Sequence, residues 1–505
     1  MKNNRILSFL PLSVPALLLI TLFPAAHDKP NTGLSEAETF FLQGDLSEAK
    51  RVLQDSLRKQ PNFVAALDLL ANLYLLEDNF EAATQEIRRA MKLAPNNPKG
   101  LATYGHCLFR EGDFKLAEIQ FRKCLQLDPK QAAAYLGLGR LHLTKLRPEE
   151  GLEALQQAIR LDPNQEDNYF LASEAYGTAK NLSMQIQSLE KYLAFKPKFH
   201  AERVQNAEAL LTFFRSLEKG PVAKINHPAR RYEIPVQPFY GLMLVEAHVN
   251  GDGPYRFLVD SGATSTVLSN ALLEHLKIAP IARAVVKCVG GTGKTATQLC
   301  KAARFQMGAL EIENLPVASF DNEIFAGLID GVLSTADLGD FLVILDYPDR
   351  KILLTPRPSS EPPAPAQSGN TPSTRSEFRI LGNLMLVPVS INHQAPKNFL
   401  FDTGAVTSTL SKRQAALLGV HENTPNSVVD LQFAGACGVT QSVLSVSTVD
   451  LGLHGLKRDY AQILAVELKE ISKEIQTEVS GILGGDFFSK YKVTLDYHNT
   501  TVTIE

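Results

Sequence analysis

A chain of 505 residues is longer than one hydrophobic core accommodates, so several domains are expected. Its 51 Lys and Arg nearly balance its 54 Asp and Glu, and a net charge of -3 gives no field that would gather nucleic acid or an anionic membrane surface. Five scattered cysteines with no CxxC pair exclude a disulfide scaffold and a cysteine-built metal site.

The chain opens with Lys2 and Arg5 ahead of an apolar run from Ile6 to Phe23, followed by Pro24, Ala25 and Ala26. Residues 1–26 read as an export signal, with an uncleaved N-terminal anchor as the alternative because Pro11 and Pro15 interrupt the run. The expected location is periplasmic or at the cell envelope, and any contact with a membrane would be through this segment. In such an oxidising compartment Cys288 and Cys300 could bridge.

Pro61, Pro95, Pro129, Pro163 and Pro197 then recur at intervals of 34 residues. Small residues recur with them, at Ala71, Gly105 and Gly139 and again at Ala83, Ala117 and Gly151, as paired helices in close approach require. His142 breaks the apolar pattern without a second ligand nearby and reads as a packing residue. Residues 30–215 resemble the tetratricopeptide repeat family, an all-α solenoid. Its groove would bind a peptide or a partner protein, or the array would serve as a spacer or self-association module.

Beyond about residue 230 the helical period gives way to short runs of Val, Ile, Leu and Phe between turn residues, the pattern of an all-β region. A Pro/Ser-rich linker over 358–377 divides it into parts spanning 232–357 and 378–505. The parts are copies: at a constant offset of 142, Leu242-Met243-Leu244-Val245 meets Leu384-Met385-Leu386-Val387, and Asp260 meets Asp402. In each copy an apolar strand runs into the acid, as Phe257-Leu258-Val259-Asp260-Ser261-Gly262 and Phe399-Leu400-Phe401-Asp402-Thr403-Gly404. An acid at the buried end of a strand must be hydrogen-bonded, and two at matched positions point to a site.

These residues resemble the retropepsin-like aspartic peptidases, whose signature is two hydrophobic residues, Asp, Ser or Thr, Gly and Ala. The resemblance implies two all-β lobes, each giving one catalytic aspartate, here Asp260 and Asp402. It implies that Ser261, Gly262, Thr403 and Gly404 support the two loops, and that a mobile flap covers the cleft. Gly290, Gly291 and Gly293, and Gly435 and Gly438, are the flap candidates, with ordinary hairpin loops as the alternative. The family also carries a hydrophobic-hydrophobic-Gly strand, present as Ile482-Leu483-Gly484, whereas the first copy has Val332-Leu333-Ser334, a departure that bears on the support of Asp260.

The implied chemistry is hydrolysis of peptide bonds by water, with no cofactor and no metal. The dispersed histidines lack HExxH spacing, no GxSxG elbow occurs, and Gly293-Lys294-Thr295 lacks the first glycine of a phosphate loop. The repeated Leu345-Asp346-Tyr347 and Leu495-Asp496-Tyr497 read as turn closures. The expected protein is therefore an aspartic endopeptidase and a monomeric pseudo-dimer. The alternatives are a homodimer pairing lobes between chains and a scaffold that binds peptides without cutting them.

Overall fold

The computed structural model describes residues 32–197, 201–218, 220, 223–227, 230–288, 293–320, 327–356, 374–429, 433–435, 438–440 and 443–505. The expected export segment and linker residues 358–373 lie outside the described residues. Among the described residues no helix is long and apolar enough to cross a membrane.

The N-terminal half is a stack of helical hairpins: α1 (Thr32–Gln43) with α2 (Leu46–Lys59), α3 (Val64–Leu76) with α4 (Phe80–Leu93), and α5 (Pro98–Glu111) with α6 (Phe114–Leu127). It continues with α7 (Ala132–Leu143) and α8 (Pro148–Leu161), α9 (Glu166–Thr178) and α10 (Leu182–Ala194), and then α11 (Ala201–Glu218). The prolines fall just past the second helix of each hairpin, where the chain must stop being helical. A second 34-residue rhythm starts those helices. The side chains of Asp45, Asn79, Asp113 and Asn181 cap α2, α4, α6 and α10, while at Arg147 the cap is replaced by Pro148 in the first turn of α8. Small residues permit the close helix approach expected of them. A Cβ on Gly105 would lie 2.5 Å from the Phe121 ring and one on Gly137 2.2 Å from it, so both glycines make room for that ring. His142 is half-buried, and burial lowers its basicity, as befits a packing residue.

Each β lobe closes a six-strand ring. In the first the order is Leu310–Phe320, Val267–Ser269, Gly331–Ser334, Asp252–Asp260, Leu242–Val249 and Lys294–Met307, which pairs back to the first strand. In the second it is Leu456–Val466, Thr409–Ser411, Gly481–Leu483, Lys397–Phe401, Leu384–Ile391 and Val443–Leu453, closing likewise. The short helices α12 (Asn270–His275), α13 (Lys412–Leu417), α14 (Lys469–Ile475) and α15 (Gly485–Phe488) flank the rings.

A separate six-stranded sheet joins the lobes, in the order Thr374–Glu377, Thr501–Ile504, Lys492–Asp496, Phe341–Asp346, Lys351–Pro356 and Tyr232–Pro235. Its central seam pairs Val343 with Leu495 and Leu345 with Val493, so the two copies meet about a pseudo-twofold axis within one chain. Asp346 accepts from the amide of Asp349, and Asp496 from those of His498 and Asn499, so both close turns as expected.

The repeat array packs against the second lobe. Helices α3, α5, α7 and α9 touch their successors in neighbouring repeats and form the inner layer. The C-terminal ends of α5 and α7 present carbonyls to which the second lobe supplies donors, although Phe109 O also accepts from the Gly112 amide (3.0 Å). Thr477 Oγ1 donates to Phe109 O (3.1 Å) and the Glu478 amide to Arg110 O (2.8 Å). Asn398 Nδ2 donates to Gly112 O (3.3 Å) and the Ile380 amide to Thr144 O (2.8 Å). Buried Arg140 donates to Gln476, and a single apolar cluster runs from Leu101, Phe109 and Leu138 into Leu386, Ile471 and Ile482. The array thus packs against its own chain.

The bridge anticipated between Cys288 and Cys300 does not form: Cys288 is disulfide-bonded, whereas Cys107, Cys124 and Cys300 are free and buried. Strand register explains this. Cys288 sits opposite Gly293 at the hairpin end, while Cys300 pairs with Val317 and is fully buried. Cys437 lies outside the described residues.

Candidate active site

Asp260 ends the strand Asp252–Asp260, and Asp402 follows directly on Lys397–Phe401. Each strand runs parallel to a short neighbour across the ring. Phe257 pairs with Gly331 and Phe399 with Gly481, and a Cβ on either glycine would lie 2.3 Å from the phenylalanine ring. The acids are thus carried on stiff central strands rather than on free loops.

The two loops lock each other reciprocally. The Ser261 amide donates to Thr403 Oγ1 (2.9 Å) and the Thr403 amide to Ser261 Oγ (3.1 Å). Ser261 Oγ donates to Phe401 O (2.7 Å), and Thr403 Oγ1 to Val259 O (3.0 Å). Both hydroxyls are therefore fully used across the lobe junction, and both residues are buried.

The glycines let the acids meet. The Gly262 amide donates to Asp260 Oδ1 (2.6 Å) and that of Gly404 to Asp402 Oδ1 (2.9 Å). A Cβ on Gly262 would lie 2.7 Å from Asp402 Cγ, and one on Gly404 2.5 Å from Asp260 Cγ, space that only glycine leaves open. A hydrogen bond joins the two carboxyl groups. Burial, and then the neighbouring charge of Asp402, pushes Asp260 well above the ordinary carboxylate range. Burial also raises Asp402, while the hydrogen bond from Asp260 and the Gly404 and Ala405 amides favour its ionised form. One proton shared by the pair fits both shifts.

Ser334, the departure from the family pattern, is built into the first lobe. Its hydroxyl donates to Ala263 O (2.7 Å), and its amide to Thr266 Oγ1 (3.3 Å). At the matching places of the second lobe, Ala405 O accepts from the Gly485 amide (2.7 Å), and the Gly484 amide donates to Ser408 Oγ (3.0 Å). A side-chain hydroxyl has taken over a backbone donor's bond, and the support under Asp260 is intact.

Four residues in this region were given no part in the site by the sequence. Asp337 accepts from the amide (2.9 Å) and hydroxyl (2.6 Å) of Thr266, and Asp486 from those of Ser408 (2.8 and 2.7 Å). Burial pushes Asp337 up to about 7. Tyr347 and Tyr497 directly follow the central strands of the shared sheet: burial and the charges of Asp402 and Asp260 raise Tyr347, and Tyr497 hydrogen-bonds Thr335 Oγ1 (2.6 Å). The signal available was that the tyrosines repeat between copies and that an acid follows each Leu-Ser or Leu-Gly.

Of the flap candidates, Gly290 and Gly291 lie outside the described residues. Gly293 begins the return side of a hairpin formed by Ala282–Lys287 and Lys294–Met307, where the Cys288 amide donates to its carbonyl (3.0 Å). Gly435 and Gly438 face each other across the hairpin of Phe433–Gly435 and Gly438–Thr440.

Residues 245–336 and 387–487, which fall on the two lobes, match the family described as aspartyl protease. Residues 40–107 and 108–175 match the tetratricopeptide repeat. The chain joins an aspartyl protease domain to a repeat array. No curated protein matches it. Among solved structures, pilF of Pseudomonas aeruginosa is similar at 18% identity over 37% of this chain and 85% of that one, with a TM-score of 0.30. A thermophilic repeat protein of Thermus thermophilus is similar at 17% over 37% and 98%, with a TM-score of 0.31. The paired acids lie in the aspartyl protease domain, one in each matched segment.

Proposed function

We propose that the protein is an aspartic endopeptidase in which Asp260 and Asp402 form one intramolecular dyad. The observation that carries this is the reciprocal lock of Ser261 and Thr403, which holds two hydrogen-bonded carboxyl groups at the junction of the lobes. Two acids this close cannot both ionise readily, so they keep one proton between them. The ionised member of the pair takes a proton from a water molecule as that water attacks the scissile carbonyl. The protonated member gives its proton to the carbonyl oxygen, and a tetrahedral gem-diol forms. Its collapse returns a proton to the leaving amine and needs no covalent intermediate. Ser261 and Thr403 fix the loops, and Gly262 and Gly404 provide the close approach.

In this reading the chain is exported and acts at the cell envelope, and the array offers its remaining surface to a protein partner. The bonded state of Ser334 supports a working first lobe over a scaffold that binds peptides without cutting them.

The test is to incubate the purified protein with a reduced, alkylated protein substrate from acid to neutral pH, beside Asp260→Asn and Asp402→Asn. Each replacement should lower kcat by a factor on the order of 10³. Mixing the two variants should restore nothing, because both acids come from one chain. Cleavage surviving both replacements would end the peptidase reading, and restoration on mixing would transfer the pairing to two chains.

A further inference from the structure

The strand Ala282–Lys287 ends the first-lobe sheet and pairs on one side, with Lys294–Met307. An edge strand presents a row of amides and carbonyls that another chain can add to. Here the array fills that place. Asn206 of α11 donates from Nδ2 to Val285 O (2.8 Å) and accepts the Val285 amide at Oδ1 (2.9 Å). One side-chain amide thus makes both bonds that an added strand would make at that residue. Asn206 is buried, and the side chains of Leu210, Phe213 and Phe214 on the same helix join the first-lobe core.

The same hairpin is tied to the other lobe. Lys287 Nζ lies 3.1 Å from Glu474 of α14, with both side chains only 13% exposed. Across the hairpin, Gly293 has φ +77°, and a Cβ there would come within 3.0 Å of Glu470 Cγ, also on α14. Beyond its last turn α14 is gripped by the array through Gln476, Thr477 and Glu478. The hairpin therefore starts in the first lobe and touches the second. It is held from two sides by the array, directly by α11 and indirectly through α14.

We infer that Asn206, Lys287 and Glu474 are positioning residues that fix this hairpin between the two lobes, so that the repeat array sets how readily an extended peptide enters and leaves. The inference rests on the peptidase reading for its consequence and not for its geometry. Substrate binding should depend on the brace, while proton transfer at the dyad should not.

The experiment measures amide hydrogen exchange over residues 282–287 in the full-length protein, with steady-state cleavage of the reduced, alkylated substrate. The variants are Asn206→Ala, Lys287→Met, Glu474→Gln and the Lys287→Met/Glu474→Gln pair. Each single variant should speed exchange of this segment by about tenfold or more and move KM at least about threefold, leaving the pH profile of kcat unchanged. The pair should do no more than either of its singles, as expected for one shared contact. Exchange staying within about twofold of the parent in Asn206→Ala and Lys287→Met would overturn the brace, as would an altered kcat profile with KM constant. If the parent cleaves nothing, the peptidase reading fails on its own, and the exchange data still decide whether the array holds the hairpin.

Discussion

At the scale of single residues, hydroxyl and carboxyl groups that cross the lobe junction dominate. Thr403→Ala would leave the Ser261 amide and Val259 carbonyl without their bonds in a buried place. Each orphaned group costs about 1–3 kcal/mol, so a clear fall in melting temperature is expected, with Thr403→Ser close to the parent. An alanine variant as stable as the parent would show that the lock contributes little. Asp337 gives a pH test. Burial raises its folded-state value to about 7 against an ordinary carboxylate value of 3.8, so the folded chain binds a proton that the unfolded chain has released. Its contribution to stability is therefore present at acid pH and lost as pH rises from about 4 through about 7. Asp337→Asn keeps an acceptor for Thr266 and cannot ionise, so denaturant melts should favour the variant increasingly between pH 5 and pH 8. A stability difference independent of pH would contradict the assignment.

Elements are where duplication can be read and where its limits appear. The 34-residue and 142-residue offsets were legible because prolines, small residues and strand-to-acid junctions obey local constraints that each copy must satisfy. That reading gave the helical hairpins, the two lobes and the positions of Asp260, Asp402, Ser261 and Thr403. It left Ser334 open, because only the fold shows that its hydroxyl replaces the Gly485 amide as the partner of an alanine carbonyl. The two lobes should accordingly respond differently to one change. Gly484→Ser would put a Cβ 2.6 Å from the Thr407 backbone and should destabilise by about 1–3 kcal/mol in denaturant melts. Ser334→Gly removes the bond to Ala263 O and a longer one from the Ala336 amide (3.3 Å) and should cost about 1 kcal/mol, so the opposite order of effects would refute this account.

Across the whole molecule, the docking of the array was invisible in the sequence. The acceptors at Phe109, Arg110, Gly112 and Thr144 are backbone carbonyls, which any residue presents, and their donors lie more than two hundred residues away. Asn206 was hidden for a similar reason, because a lone asparagine on a helix carries no sign that it will complete a sheet edge. Since the second lobe and the inner helices share one apolar cluster, they should unfold together in calorimetry. Gly112→Ala, at φ +79° with a Cβ 1.8 Å from Asn398 Nδ2, should lower that joint transition, and Asn398→Ala in the same chain should recover part of the loss. Separate transitions for array and lobe would show the docking to be weak. The central claim is that two acids from two related lobes hold one proton. It is tested most directly by following the carboxyl carbons of Asp260 and Asp402 by NMR through a pH titration, with Asp260→Asn and Asp402→Asn as assignments. The account predicts that one proton persists on the pair well above the ordinary carboxylate range, and that Asp402→Asn lowers the value of Asp260. Two independent titrations in the ordinary range, each indifferent to loss of the other acid, would contradict it.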